Sequence, residues 1–204
     1  MKTFFSDQAK AKVKDSIVAA ESVTSAEVVV TVKPRSSQYR EIDYTVGAIV
    51  GLLTLAGLMF HPAELDENWF PVAVIVAFAL GVFLSSGIWP LKRALLSKAR
   101  LDAEVGKAAR EAFVRMGVHG TTGRTGMLIY VSAFEQRAEL VLDLGLNPNK
   151  LGEAWTEARA RIEAAASRGD LDAFAAAVAG IGPALGAVLP RSADDVNELP
   201  DEVH

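Results

Sequence analysis

Residues 44–60 read YTVGAIVGLLTLAGLMF, and residues 69–91 read WFPVAVIVAFALGVFLSSGIWPL; neither stretch holds a charged side chain. At ~1.5 Å of helix rise per residue the first spans about 25 Å and the second about 34 Å, bracketing the ~30 Å hydrocarbon core of a bilayer. Core helices of a small soluble domain seldom stay uncharged all round for so long, because one face meets water. The two runs therefore predict a transmembrane hairpin over 44–91, with spans at 44–60 and 69–91 and an outer loop at 61–68.

Charge on either side of the hairpin sets its direction. The loop carries Glu64, Asp66 and Glu67 without a single Lys or Arg. Lys33, Arg35 and Arg40 precede the first span, and Lys92, Arg93, Lys98 and Arg100 follow the second. Basic flanks stay in the cytoplasm, so both termini are expected there, with the acidic loop outside: a multi-pass protein of the cell (inner) membrane. The same cations are placed to attract anionic lipid headgroups. Tyr44, Trp69 and Trp89 stand at span ends as interfacial anchors, and Pro71 falls in a first helical turn, where its missing N–H costs nothing. Gly47 and Gly51 form a GxxxG pair that would let two helices approach closely. The opening MKTFFSDQAKAKVK passes from two phenylalanines straight into charge, without the apolar stretch of a cleavable signal. The first span is expected to act as its own insertion signal.

Composition narrows the remaining classes. The 204 residues include 21 Lys+Arg against 25 Asp+Glu, a formal net charge of −4, which argues against a nucleic-acid partner. The absence of Cys removes disulfides, thiolate zinc sites and a Cys nucleophile. His61, His119 and His204 are scattered, so neither a histidine-based metal site nor any cofactor is expected.

Outside the hairpin, 1–43 and 92–190 read as two halves of one α/β domain, followed by an acidic tail at 191–204. Ser6 can cap a first helix reaching about Glu21, with Phe5, Ala9, Val13 and Ile17 four apart. The β-branched run AEVVVTVK (26–33) reads as a strand covered on both faces, ended by Pro34. A long helix over 92–116 is stopped by Gly117, Gly120 and Gly123. GMLIYVSA (126–133) and RAELVLD (137–143) read as strands whose three-residue link demands antiparallel pairing. The first two strands flank a helix and should run parallel, giving a mixed sheet. Leu151, Trp155, Ala158 and Ile162 stripe the next helix, which Gly169 closes. Asp170 caps a last helix through Leu171, Phe174, Val178, Ile181, Leu185 and Val188. The uncharged stretch 173–189 is long enough for a third span. Its Ala and Gly gain little on leaving water, however, and Pro183 would kink it, so packing on the sheet is expected.

Four strings, TSAEVVVTVKPRS (24–36), GRTGMLIYVS (123–132), RGDLDAFAAAVAGIG (168–182) and NELPDEV (197–203), together with this element order, resemble the TPM-domain family in its bacterial integral-membrane branch. There a membrane hairpin divides the first strand from the following helix. The resemblance implies a small TPM-like α/β sandwich attached to a membrane. Some relatives are described as acid phosphatases or metal binders and others as accessory or assembly factors.

Two groups of polar residues remain to be weighed. Glu27 and Arg124 should meet at one sheet end, as an ion pair closing that edge. Alternatively Arg124, on the Gly-rich stretch 120–126, offers its guanidinium and free N–H groups to a phosphate. GTTGRTG is not a P-loop, because it lacks the lysine and precedes a strand. The second group is Ser132, Glu135, Arg137 and Asp143. Metal-assisted phosphatase chemistry needs convergent carboxylates, and covalent chemistry needs a nucleophile beside a base. Glu135 and Asp143 lie eight residues apart across a hairpin and Ser132 has no adjacent base, so a solvated turn is expected. Asp194, Asp195, Glu198, Asp201 and Glu202 read as a flexible acidic end. No catalytic, cofactor or metal residue is thereby assigned; Arg124, Glu135 and Asp143 are the candidates for a phosphatase-type site. The expectation is a cytoplasmic TPM-like domain that docks, assembles or regulates another membrane protein, with membrane lipid as its other partner. A weak phosphohydrolase of the TPM phosphatase type is the alternative.

Overall fold

In the computed structural model, which describes residues 2–63, 65–192, 194 and 196–199, Ser6 accepts from the Ala9 N–H at 3.2 Å and opens helix α1, Asp7–Glu21. Glu21 reaches back from the far end of α1 to accept from Val28 N–H at 2.8 Å, tying the helix to the strand that follows. That strand, β1 (Glu27–Lys33), pairs in parallel with β2 (Gly126–Ser132), from Glu27 opposite Gly126 to Lys33 opposite Ser132. β3 (Arg137–Leu142) returns antiparallel to β2, which makes a three-stranded mixed sheet of order β1-β2-β3.

Side chains alternate across a strand, and both faces of this sheet are covered. Val28, Val30, Val32, Met127, Ile129 and Val131 join one cluster with Val13 and Ile17 of α1. Trp155 and Ile162 of α6 (Pro148–Arg168) belong to the same cluster, as does Phe174 of α7 (Leu171–Ala179). Val29, Leu128 and Tyr130 face the opposite way, against Val105, Ala109 and Phe113 of α5 (Lys98–Arg115). Burial on two sides is why β1 and β2 read as unbroken apolar runs.

Two expected helices are each divided. The stretch 92–116 splits between α4 (Trp89–Leu95) and α5, with extended backbone at Leu96. The last helix ends at Ala179 and resumes as α8 (Gly182–Gly186), with Pro183 in its first turn. Gly182 approaches α1 so closely that a Cβ there would lie 2.5 Å from the Ala20 carbonyl oxygen. Phe174, Val178, Ile181 and Leu185 are fully buried, so 173–189 packs into the core as two short helices and makes no third span.

The chain divides into two units, one of residues up to Ser37 with those from Leu101, the other Gln38–Arg100. The second holds α2 (Arg40–Met59), α3 (Phe70–Gly87) and α4. α2 starts ahead of the charge-free run and so takes in Asp43. The two long helices cross at Gly47 and Gly81: a Cβ on Gly81 would sit 2.9 Å from Gly47 Cα, and one on Gly47 would sit 2.6 Å from Val82 Cγ2. Gly51 has ordinary spacing, its nearest neighbour 3.6 Å away. The segments Arg40–Met59 and Glu67–Gly87 are long and apolar enough to cross a membrane. Their large apolar side chains point outward, with Leu52, Leu53, Ile75, Phe83 and Leu84 each at least 60% exposed. Glu64, in the acidic loop, lies outside the described residues.

Candidate functional site

The register separates the candidate residues. Parallel pairing of β1 with β2 brings Glu27 and Arg124 to one end of the sheet, and the antiparallel return of β3 brings Asp143 there too, its N–H donating to the Gly126 carbonyl at 2.9 Å. Arg124 adopts a left-handed backbone, φ 55°. Its Nε and Nη2 both approach Asp143 Oδ1, at 3.2 and 3.1 Å. The carboxylate gripping Arg124 is thus Asp143, where the sequence suggested Glu27. Oδ1 also accepts from Leu144 N–H at 2.8 Å, while the buried Oδ2 has no hydrogen-bond partner among the described residues. Gly145 seals the corner; a Cβ there would lie 2.5 Å from the Gly123 carbonyl oxygen.

Ser132 and Glu135 stand at the other end of β2, about 20 Å away at ~3.3 Å per residue. They do not form a solvated turn. Ser132 is fully buried and Glu135 is 2% exposed. Gln136, at φ 54°, turns the chain so that the Glu135 carboxylate folds inward, accepting from Ser132 Oγ and from Ser36 N–H at 2.9 Å. Ser36 Oγ in turn meets Tyr130 OH at 3.3 Å, and burial raises the Tyr130 pKa. The arrangement locks the β2–β3 turn onto the segment after β1. Arg137 is spoken for by an ion pair with Asp102. Asp143 therefore belongs with Arg124 and not with Ser132, Glu135 and Arg137.

Beside β3 runs a cleft of about 430 Å³ whose lining includes Arg110, Glu139, Asp143, Asn147, Trp155 and Arg159. Burial pushes the Glu139 carboxyl above its ordinary range, with Arg159 partly opposing. Sequence reasoning did not single out Arg110 or Arg159, because nothing along the chain shows that α5 and α6 flank one edge strand. Among the described residues no cluster of three or more His, Asp or Glu side chains is placed to hold a metal ion.

The Gly-rich stretch does hold an anion, supplied by the chain itself. Glu198 accepts from Thr122 N–H at 2.7 Å and meets Thr122 Oγ1 at 3.2 Å. Glu198 is therefore docked rather than part of a flexible end; Asp195, Asp201 and Glu202 lie outside the described residues.

The hairpin unit has a polar cluster of its own. Lys92 Nζ sits 2.8 Å from Asp43 Oδ2, and Ser85 Oγ donates to Asp43 Oδ1 at 2.9 Å. All three residues are buried. The start of α2 favours the Asp43 negative charge through the helix dipole, and each charge is tolerable in a low-dielectric site only because the other is present. The available signal was an acid directly before the first uncharged run, matched by the first base after the second run.

No known family's sequence model matches the chain, and no curated protein sequence does. In fold it is similar to the BA42 protein of the psychrophilic bacterium Bizionia argentinensis, solved by NMR. The TM-score is 0.57 at 18% identity, covering 98% of this chain and 94% of that one. At that identity the likeness concerns architecture alone.

Proposed function

We propose that this protein is an integral membrane protein of the TPM-domain type whose hairpin crosses the bilayer twice, both termini being cytoplasmic, and whose α/β unit docks, assembles or regulates another membrane protein. The outward-facing apolar surface of α2 and α3 carries this reading. Apolar surface left in water forgoes about 25 cal/mol per Å², whereas lipid tails accept it without cost. The buried Asp43–Lys92–Ser85 cluster supports it, since polar groups in a spanning hairpin turn inward and pair. The basic flanks support the orientation. High-speed centrifugation of lysed cells without detergent tests the reading. The chain should sediment with membranes and resist alkaline washing; recovery in the supernatant would overturn it. A reporter active only outside the cytoplasm should work when inserted at Glu64 and be silent when fused after Val203.

A second reading, a phosphohydrolase of the TPM phosphatase type at the Arg124–Asp143 corner, is favoured by Asp143 Oδ2, which has no hydrogen-bond partner among the described residues, and by the neighbouring cleft bearing Arg110 and Arg159. Hydrolysis of p-nitrophenyl phosphate, with and without Ca²⁺ or Mg²⁺, tests it. Turnover abolished by both Arg124→Ala and Asp143→Asn supports the enzyme. Turnover that is absent, or unchanged in both variants, removes it.

A further inference from the structure

Segment 196–199 makes three different kinds of contact within two residues. The Glu198 carboxylate meets both the backbone N–H and the hydroxyl of Thr122. The Glu198 N–H donates to Glu27 Oε1 at 3.3 Å, and the Glu27 side chain is itself buried. Leu199 packs against the cluster of Val29, Val105, Phe113, Val118 and Leu128. Asn197 shapes the segment by accepting from Leu199 N–H at 3.2 Å.

The receiving surface is braced independently of this segment. Thr121 Oγ1 accepts from Thr125 N–H at 2.9 Å, and Arg124 N–H donates to the Thr121 carbonyl at 3.0 Å. Gly126 lies so near the Val118 carbonyl oxygen that a Cβ would stand 2.1 Å from it. The loop is thus held in shape by its own bonds and by Gly126. A donor pair for a carboxylate, an acceptor for a backbone N–H and an apolar seat for the next side chain are the elements with which proteins read short peptides. The two contacts of the Glu198 carboxylate with Thr122 are solvent-exposed, which leaves the carboxylate open to exchange.

We infer that Thr122, Glu27 and the apolar cluster beside them form a recognition site for a peptide carrying Glu followed by a large apolar residue, and that residues 196–199 fill this site in cis until a partner's Glu–Leu segment displaces them. The inference rests on the docking reading for the existence of a partner; the site itself is tested without reference to a membrane. The probe is the synthetic peptide DDVNELPDEVH, identical to residues 194–204, titrated against the 204-residue chain in detergent micelles. Amide exchange is followed at Thr122, with Thr125 as internal control.

Glu198→Ala should speed exchange at Thr122 by about tenfold and leave Thr125 unchanged, because the lost protection is local. Added peptide should restore Thr122 protection saturably in that variant. In the wild type it should bind at least about tenfold more weakly, since the tethered segment competes at high effective concentration. The same peptide with Gln in place of its Glu198 equivalent should fail to protect. Equal exchange at Thr122 in wild type and variant would overturn the inference. So would no rescue by peptide, equal rescue by the Gln peptide, or equal affinity in wild type and variant. Membrane sedimentation is read separately, so a failure here leaves the docking reading untouched, and a soluble protein that still binds the peptide would lose only the membrane.

Discussion

The two units of this chain put their polar and apolar side chains in opposite places. In the α/β unit Ile17, Ile129, Ile162 and Phe174 are fully buried, while helix surfaces carry exposed ion pairs such as Arg161–Glu157. In the hairpin unit Leu53, Ile75 and Phe83 are outside, and Asp43, Lys92 and Ser85 are inside. One sequence thus follows two opposite burial patterns, and residues 38–100 hold the two helices long and apolar enough to cross a membrane. The crossing at bare glycine suits the proposed membrane hairpin, because between helices in lipid close backbone packing does the work that apolar burial does in water.

The sharpest attempt to break the contrast is Lys92→Met. It strands the Asp43 carboxylate in a buried site and should destabilise the hairpin by about 3–5 kcal/mol, with Asp43→Asn in the same chain recovering most of that. Thermal unfolding of the single and double variants in micelles measures it. Next comes a matched pair of exposed substitutions. Leu53→Arg should oppose membrane insertion by about 3 kcal/mol, read as the fraction of chains resistant to alkaline extraction. Val18→Arg, at a 48% exposed position of α1, should stay within about 0.5 kcal/mol in unfolding. If both arginines are equally silent, the contrast fails. Gly81→Leu, which drives a side chain into the α2 backbone, should cost about 1–3 kcal/mol of hairpin stability by the same micelle assay.

The smallest effect refines the α/β side. Burial raises the Glu139 pKa from its ordinary 4.5, so the folded state binds the proton more tightly than the unfolded one. Stability from this group is complete below about pH 4.5 and declines as pH rises through the folded pKa. Glu139→Gln should therefore raise the melting temperature at pH 7 and leave it unchanged at pH 4, as calorimetry at the two values would show.

Much of the architecture was legible because local chemistry decides it. Ser6 and Asp170 cap helices, Gly169 ends one at φ 68°, and the valines of β1 have no stable place but a covered strand. The helix break at Leu96 was not legible, since it depends on what the next segment packs against, whereas Pro183 already marked the second break. The crossing at Gly81 lay hidden in an apolar run where every residue looks alike. The candidate corner was half visible. Parallel pairing puts Arg124 near Glu27, but only the return of β3 reveals that Asp143 takes the guanidinium. The docking of Glu198 offered no signal, because Thr122 and Glu27 lie far from it along the chain and nothing in the acidic tail marks which acid they receive.

The parallel pairing of β1 with β2 has a consequence for synthesis. Val29 meets Leu128, its neighbour in the sheet, roughly 100 positions later. At about 5–20 residues per second a ribosome needs on the order of 5–20 s to deliver it. During that delay EVVVTVK is an orphan edge, sticky toward any other extended chain. The intervening helices are made before the sheet exists, so a stalled ribosome would leave a valine-rich hook exposed.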